Sequence, residues 1–243
     1  MSTITKEIQD GISPDRAIEM LKEGNQRFLN KNETERDLHV QVNQTSGGQF
    51  PYAAVLSCID SRVPVELTFD QGIGDIFSAR VAGNIINEDI LGSIEYACGV
   101  AGSKAILVLG HTKCGAVTAA CQGVELGNIT ALLSKVKPAI KEVQERTGQL
   151  EVEEVTKSNV NQSIQEIREK SALLADLEKE GKIKIVGAVY HVASSTTPDG
   201  YLRCNGDVIG TTGTVQGIDA ALLQDLRTTL GTTFGVDGQL PNL

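Results

Sequence analysis

From Phe50 onward the chain alternates short apolar runs with stretches in which apolar residues return at helical spacing. The runs at 53–56, 76–81, 105–109 and 183–190 have strand length. Between them, Ile90, Ile94, Ala97 and Ala101 form one helical stripe. Leu132, Leu133, Val136, Ile140 and Val143 form another in spite of Pro138. Val160, Ile164, Ile167, Leu174 and Leu177 form the longest, with Gly181 placed to end it. Strands that alternate with helices predict an α/β fold: a mostly parallel central sheet flanked by helices. Ahead of it, Ser13 and Pro14 open a helical arm whose stripe is Ile18, Leu21 and Phe28, weakened by Gly24. The polar stretch 30–48 reads as a loop with room for one helical turn. The run from Ala193 to Gly200 breaks the pattern. Residues 1–193 are therefore expected to form one α/β domain, and 194–243 a linker and small irregular extension.

The formal net charge of −9 argues against a nucleic-acid partner held by phosphate contacts. No apolar stretch runs far enough without Gly, Ser or charge to span a bilayer. The first residues lack a basic-then-apolar leader, so a cytoplasmic location is expected. The five cysteines are odd in number and irregular in spacing, which makes a poor disulfide framework.

Two predicted strands run directly into metal-ligand residue types. The first leads into Cys58-Ile59-Asp60-Ser61-Arg62, the other into His111-Thr112-Lys113-Cys114. In open α/β sheets, ligands bind beyond the carboxyl ends of strands. If the two strands are neighbours, Cys58, His111 and Cys114 converge there. Two thiolates and an imidazole suit zinc, and three protein ligands leave a fourth position open, as catalytic zinc requires. Asp60 and Arg62, two apart on an extended segment, would project to one side. Arg62 would hold the Asp60 carboxylate ionised and turned toward zinc-bound water. Taken singly, a strand-terminal cysteine reads as core and an Asp-x-Arg pair as a surface ion pair; their coincidence favours a metal site. Cys98 and Cys121 fall on helical stripes and read as core, Cys204 has no assigned role, and His39 and His191 read as structural or exposed.

The paired motifs, together with Arg80-Val81-Ala82-Gly83-Asn84 and Gly92-Ser93-Ile94-Glu95-Tyr96, resemble those of beta-class carbonic anhydrases over about residues 13–192. The resemblance implies a lyase that interconverts CO2 and bicarbonate through zinc-bound hydroxide. Its zinc, one per subunit, would be held by Cys58, His111 and Cys114, with Asp60 and Arg62 as the catalytic dyad. It also implies that Gln49 donates to substrate oxygen and that Phe77 and Tyr96 line an apolar CO2 cleft. A homodimer or tetramer is implied, with Gln49 acting on the neighbour's zinc. Where some members carry a tryptophan at a second, inhibitory bicarbonate site, this chain has Val55, which predicts that the pocket is absent although Arg80 and Tyr190 match other parts of it.

Two other readings stay open. The scaffold also hosts hydrolases of CS2 or COS, and a zinc-binding assembly module would need no dyad. A thiol-redox role is disfavoured because there is no Cys-x-x-Cys. The segment from about 197 to 243, with Pro198-Asp199-Gly200-Tyr201-Leu202-Arg203-Cys204-Asn205-Gly206, resembles the start of a phage tail-collar domain and reads as a packing or assembly element.

Overall fold

The computed structural model describes residues 3–192, together with the backbone of two short strands at Arg203–Cys204 and Asp207–Val208. The four apolar runs form β1 (Ala53–Ser57), β2 (Ile76–Arg80), β3 (Ala105–His111) and β4 (Lys184–Tyr190), within two residues of the expected ends. They pair in parallel in the order β2-β1-β3-β4. Beyond β4, β5 (Arg203–Cys204) and β6 (Asp207–Val208) continue the sheet antiparallel. The expected boundary at 193 and the rest of 194–243, including the collar-like motif and the Cys204 side chain, lie outside the described residues.

Helices α1 (Lys6–Asp10), α2 (Pro14–Leu29) and α3 (Leu38–Thr45) precede the sheet. Helix α4 (Val65–Thr68) joins β1 to β2, and α5 (Glu88–Glu95) lies between β2 and β3. Between β3 and β4 come α6 (Gly115–Cys121), α7 (Gly127–Leu133), α8 (Lys137–Thr147), α9 (Val152–Lys170) and α10 (Ala172–Lys179). Successive strand residues face opposite ways and supply two cores. Val55, Leu107 and Leu109 pack with Ile18, Leu21 and Phe69 on one face. Leu56, Ile106 and Val108 pack with Ile164, Ile167 and Leu174 on the other. Strands β1 and β3 are buried along their whole length, which is why they read as unbroken apolar runs. Among the described residues no helix is long and apolar enough to cross a membrane.

The helical expectations need four corrections. Stretch 30–48 contains a true helix, α3, capped by Asp37, whose side chain accepts from Val40 N at 3.1 Å. Its buried residue is Gln41, which accepts from Ile73 N at 3.1 Å, while Leu38 and Val42 are exposed, so it carries no inward apolar period. The 132–143 stripe is two helices joined by a 3-10 turn at Ser134–Val136, with Pro138 in the first turn of α8, where its missing N–H costs nothing. The longest stripe breaks at Ser171, whose hydroxyl accepts from Leu174 N at 3.2 Å and starts α10.

The fourth correction is Gly24, which permits packing instead of merely weakening α2. A Cβ there would stand 1.8 Å from the Phe69 carbonyl oxygen, and Asn25 Nδ2 donates to Thr68 O at 3.0 Å beside it. The obstacle is backbone, so it cannot swing aside. Gly24→Ala is expected to cost about 3 kcal/mol, read as a lowered denaturant midpoint.

Asp70 secures the arm electrostatically. Its carboxylate is 4% exposed and pairs with Arg27 of α2 and with Arg36, and it accepts from Thr34 N. Burial opposes its ionisation, but Arg36, Arg27 and Thr34 prevail and pull its pKa from 3.8 down to about 2. A depressed carboxylate contributes stability above its unfolded pKa and loses it as pH falls through the folded one. Wild type is thus expected to lose stability between about pH 4 and pH 2. Asp70→Asn should be less stable by about 3 kcal/mol at neutral pH and show a flatter acid limb in urea titrations at stepped pH.

Candidate metal centre

Strands β1 and β3 are neighbours, with Ser57 opposite Leu109. Cys58 therefore leaves the sheet one step beyond β1, and His111 closes β3 beside it. Lys113 then turns the chain in a left-handed conformation (φ 55°), and Cys114 caps α6. Glu153 of α9 fixes this turn by accepting from Lys113 N at 3.3 Å. The ligand atoms of Cys58, His111 and Cys114 lie within 4.8 Å of one another, and all three residues are buried. The two sulfurs are 3.9 Å apart.

The imidazole is oriented to accept a cation. His111 Nδ1 is 2.9 Å from the Thr112 carbonyl oxygen, which can only accept, so Nδ1 carries the hydrogen. The lone pair is left on Nε2, which is buried and has no hydrogen-bond partner. An unsatisfied buried acceptor costs about 1–3 kcal/mol. A cation between Nε2 and the two sulfurs removes that cost, so the residues fit a metal ion. The thiols are primed unequally. The hydrogen bond shared with Cys114 pulls the Cys58 thiol well below its usual range, despite burial. Cys114 is pushed up by that same hydrogen bond and by burial. The two sulfurs share a hydrogen bond, and a cation that binds both displaces its proton.

Asp60 stands at the rim, its Oδ2 3.8 Å from His111 Nε2. Arg62 donates to it twice, Nε to Oδ1 at 2.9 Å and Nη2 to Oδ2 at 2.7 Å. These bonds hold the Asp60 carboxyl well below the usual carboxylate range. The pairing is not made along an extended segment as expected. Val63 N donates to Asp60 O at 3.0 Å and Arg62 N to Asp60 Oδ1 at 2.9 Å, a turn that folds the two side chains together. Arg62 Nη2 also donates to Lys113 O at 3.2 Å, linking the two ligand segments.

Further contributors were not legible as such in the sequence. Arg80 donates to Cys58 O at 2.9 Å and to Asp60 O at 2.6 Å, and Gly83 N donates to Cys58 Sγ at 3.4 Å. Both lie in the 80–84 run that carries part of the resemblance. Its Gly-Asn pair was the available signal, for both residues adopt positive φ here. Gln49, Phe77 and Tyr96 do not join the trio within one chain. Gln49 is exposed on the loop before β1. Phe77 and Tyr96 meet edge to face, centroids 6.3 Å apart, and line an open groove of about 580 Å³ along the β2 edge with Ala54, Arg80 and Ile94. Arg80 is the link, lining this groove while it holds the Asp60 turn. Val55 is wholly buried in the core, His39 is exposed, Cys98 is buried and Cys121 half-buried.

A parallel 2-1-3-4 sheet with a Cys-His-Cys cluster and an acid–arginine pair at its carboxyl end defines an α/β enzyme scaffold with three residues able to hold a metal ion. Residues 53–197 match the family model for carbonic anhydrase. The chain is 35% identical to carbonic anhydrase 2 of Mycobacterium tuberculosis, over 74% of this chain and 89% of that protein. It is also 35% identical to a carbonic anhydrase of Mycolicibacterium smegmatis, over 74% and 90%. Among solved structures it is similar to the β-carbonic anhydrase CafA of Aspergillus fumigatus, with a TM-score of 0.61, 24% identity and coverage of 79% and 88%. A tetrameric beta-carbonic anhydrase of Sordaria macrospora gives 0.60, 22%, 71% and 92%. This chain belongs to the carbonic anhydrase family, and its fold is that of the beta class.

Proposed function

We propose that the chain is a zinc enzyme that reversibly hydrates CO2 to bicarbonate and a proton. The observation that carries this reading is the buried, unpartnered His111 Nε2 facing two thiols beside an ionised Asp60. Cys58 Sγ, His111 Nε2 and Cys114 Sγ would hold the zinc, which when bound supplies the Lewis acidity that makes water nucleophilic near neutral pH. Asp60 offers a fixed anionic acceptor that orients the reacting water's proton, and Arg62 restrains it from closing onto the ligands. Phe77 and Tyr96 offer an apolar surface suited to CO2.

Negative charge grows on the substrate oxygen as the new C–O bond forms, and a neutral amide donor such as Gln49 stabilises it. Gln49 is exposed and precedes β1, while Cys58 follows the strand's other end, which supports Gln49 serving the site of a second copy. The half-exposed β2 edge and the 56% exposed Tyr96 leave a surface for that copy in a homodimer or tetramer. Buried thiols kept reduced suit a cytoplasmic setting.

The test is stopped-flow CO2 hydration on the zinc-loaded full chain under mildly alkaline conditions. Turnover well above the buffer rate and proportional to bound zinc is expected. A fully zinc-loaded protein with no turnover overturns the reading.

A further inference from the structure

Helix α9 gives no ligand to the metal centre, yet its inward face is not wholly apolar. Interleaved with Val155, Val160, Ile164 and Ile167 stand Asn159 and Ser163, each 2% exposed. One helical turn apart, they face the same segment of chain. Asn159 Nδ2 donates to Gly83 O at 2.8 Å, and Ser163 Oγ donates to Asn84 O at 3.0 Å. That segment is the 3-10 turn Ala82–Asn84, in which Gly83 (φ 72°) and Asn84 (φ 44°) are both left-handed. Two consecutive left-handed residues, one of them not glycine, need outside support. The turn has a definite product: the Gly83 N–H points at Cys58 Sγ, 3.4 Å away.

We propose that Asn159 is a positioning residue for the metal centre, holding the Gly83 carbonyl so that the Gly83 N–H is aimed at the Cys58 sulfur, with Ser163 as second anchor. The inference rests on the reading of Cys58 as a zinc ligand. An N–H···S bond draws charge from the sulfur and fixes its lone pairs. It therefore sets both how strongly Cys58 donates to a metal and how well its position is defined before the metal arrives. Partners of this kind are worth roughly 10- to 100-fold in metal affinity. Helix α9 thus serves the site from both sides, since Glu153 on its first turn also holds the Lys113 turn ahead of Cys114.

The test compares wild type with Asn159→Leu, close in shape but without the donor, and with Asn159→Ala in case the leucine prevents folding. Ile167→Ala is the control, a buried change on the same helix that leaves the turn alone. Each full chain is titrated with Zn2+ against a chelator and, separately, loaded with Co2+ for absorption spectroscopy. Both Asn159 variants should bind zinc roughly 10- to 100-fold more weakly, because the loss of a preset Cys58 position outweighs the stronger donation of a sulfur freed of its hydrogen bond. Their thiolate-to-cobalt charge-transfer band should move to lower energy, because a sulfur without its hydrogen bond gives up charge more easily. Ile167→Ala should be less stable yet keep the wild-type band. Wild-type affinity and a superimposable band in a folded Asn159 variant overturn this inference and leave the zinc reading standing. A wild type without any thiolate-to-cobalt band overturns the zinc reading and this inference with it.

Discussion

Cys58→Ala is expected to reduce zinc affinity by roughly 10²- to 10³-fold and to bring CO2 hydration down to the buffer rate. A structural zinc site with four protein ligands is worth about 10–16 kcal/mol, so one thiolate is worth about 2.5–4 kcal/mol. The loss falls on the metal more than on the fold, where one small buried side chain is shortened. Cys58 lies one residue past β1, and removing its sulfur leaves the strand's pairing with β2 and β3 untouched. What alanine takes away is the partner of the Cys114 sulfur, 3.9 Å away, and the acceptor of the Gly83 N–H. Metal content by atomic absorption, with turnover measured on the same sample, checks the result. A variant that keeps one zinc per chain and hydrates CO2 at the wild-type rate contradicts the assignment.

Asp60→Asn is expected to lower hydration by roughly 10²-fold while zinc content stays at the wild-type level. Asp60 is not one of the three residues that converge on the cluster, so the affinity of the site does not depend on it. The amide keeps an oxygen for Arg62 N and Nε, which preserves the turn. It loses the charge that Arg62 sustains, and it places an N–H₂ where a reacting water needs an acceptor. The pair of readouts separates the two kinds of residue: Cys58 controls occupancy, Asp60 controls turnover at full occupancy. A fall in both together would place Asp60 among the ligands.

How far the sequence carried this picture depended on the kind of interaction. Strands β1 and β3 were readable because they are buried on both faces and so written in apolar residues alone. The convergence of Cys58, His111 and Cys114 was readable because each motif spans five residues or fewer at the end of such a strand. The Asp60–Arg62 pair was anticipated, but its geometry was not: a turn closed by Asp60's own carboxylate and carbonyl leaves little trace in apolar periodicity. The same blindness hid α3, whose core-facing residue is Gln41, and it hid Gln9, wholly buried and donating to Pro51 O and Ala101 O at 2.8 Å. Gly24 reads as a weakness in the sequence because the backbone it admits belongs to a residue far along the chain. Asn159 and Ser163 were passed over because they interrupt an apolar stripe, and only the fold shows that the interruption faces the turn beside Cys58. Gln49, Phe77 and Tyr96 rested on resemblance alone, and a single chain does not bring them to the trio.

The burial of β1 and β3 from end to end has a consequence in time. Their amides are released only when the sheet itself opens, the slowest and most costly fluctuation a domain undergoes. Arg62, by contrast, is half exposed and belongs to a surface turn. Of the candidate trio, His111 thus sits on the part of the backbone that opens last, while Arg62, which holds the Asp60 carboxylate, sits on a surface turn. On the proposed zinc reading, metal and substrate would exchange at that rim without the sheet having to open.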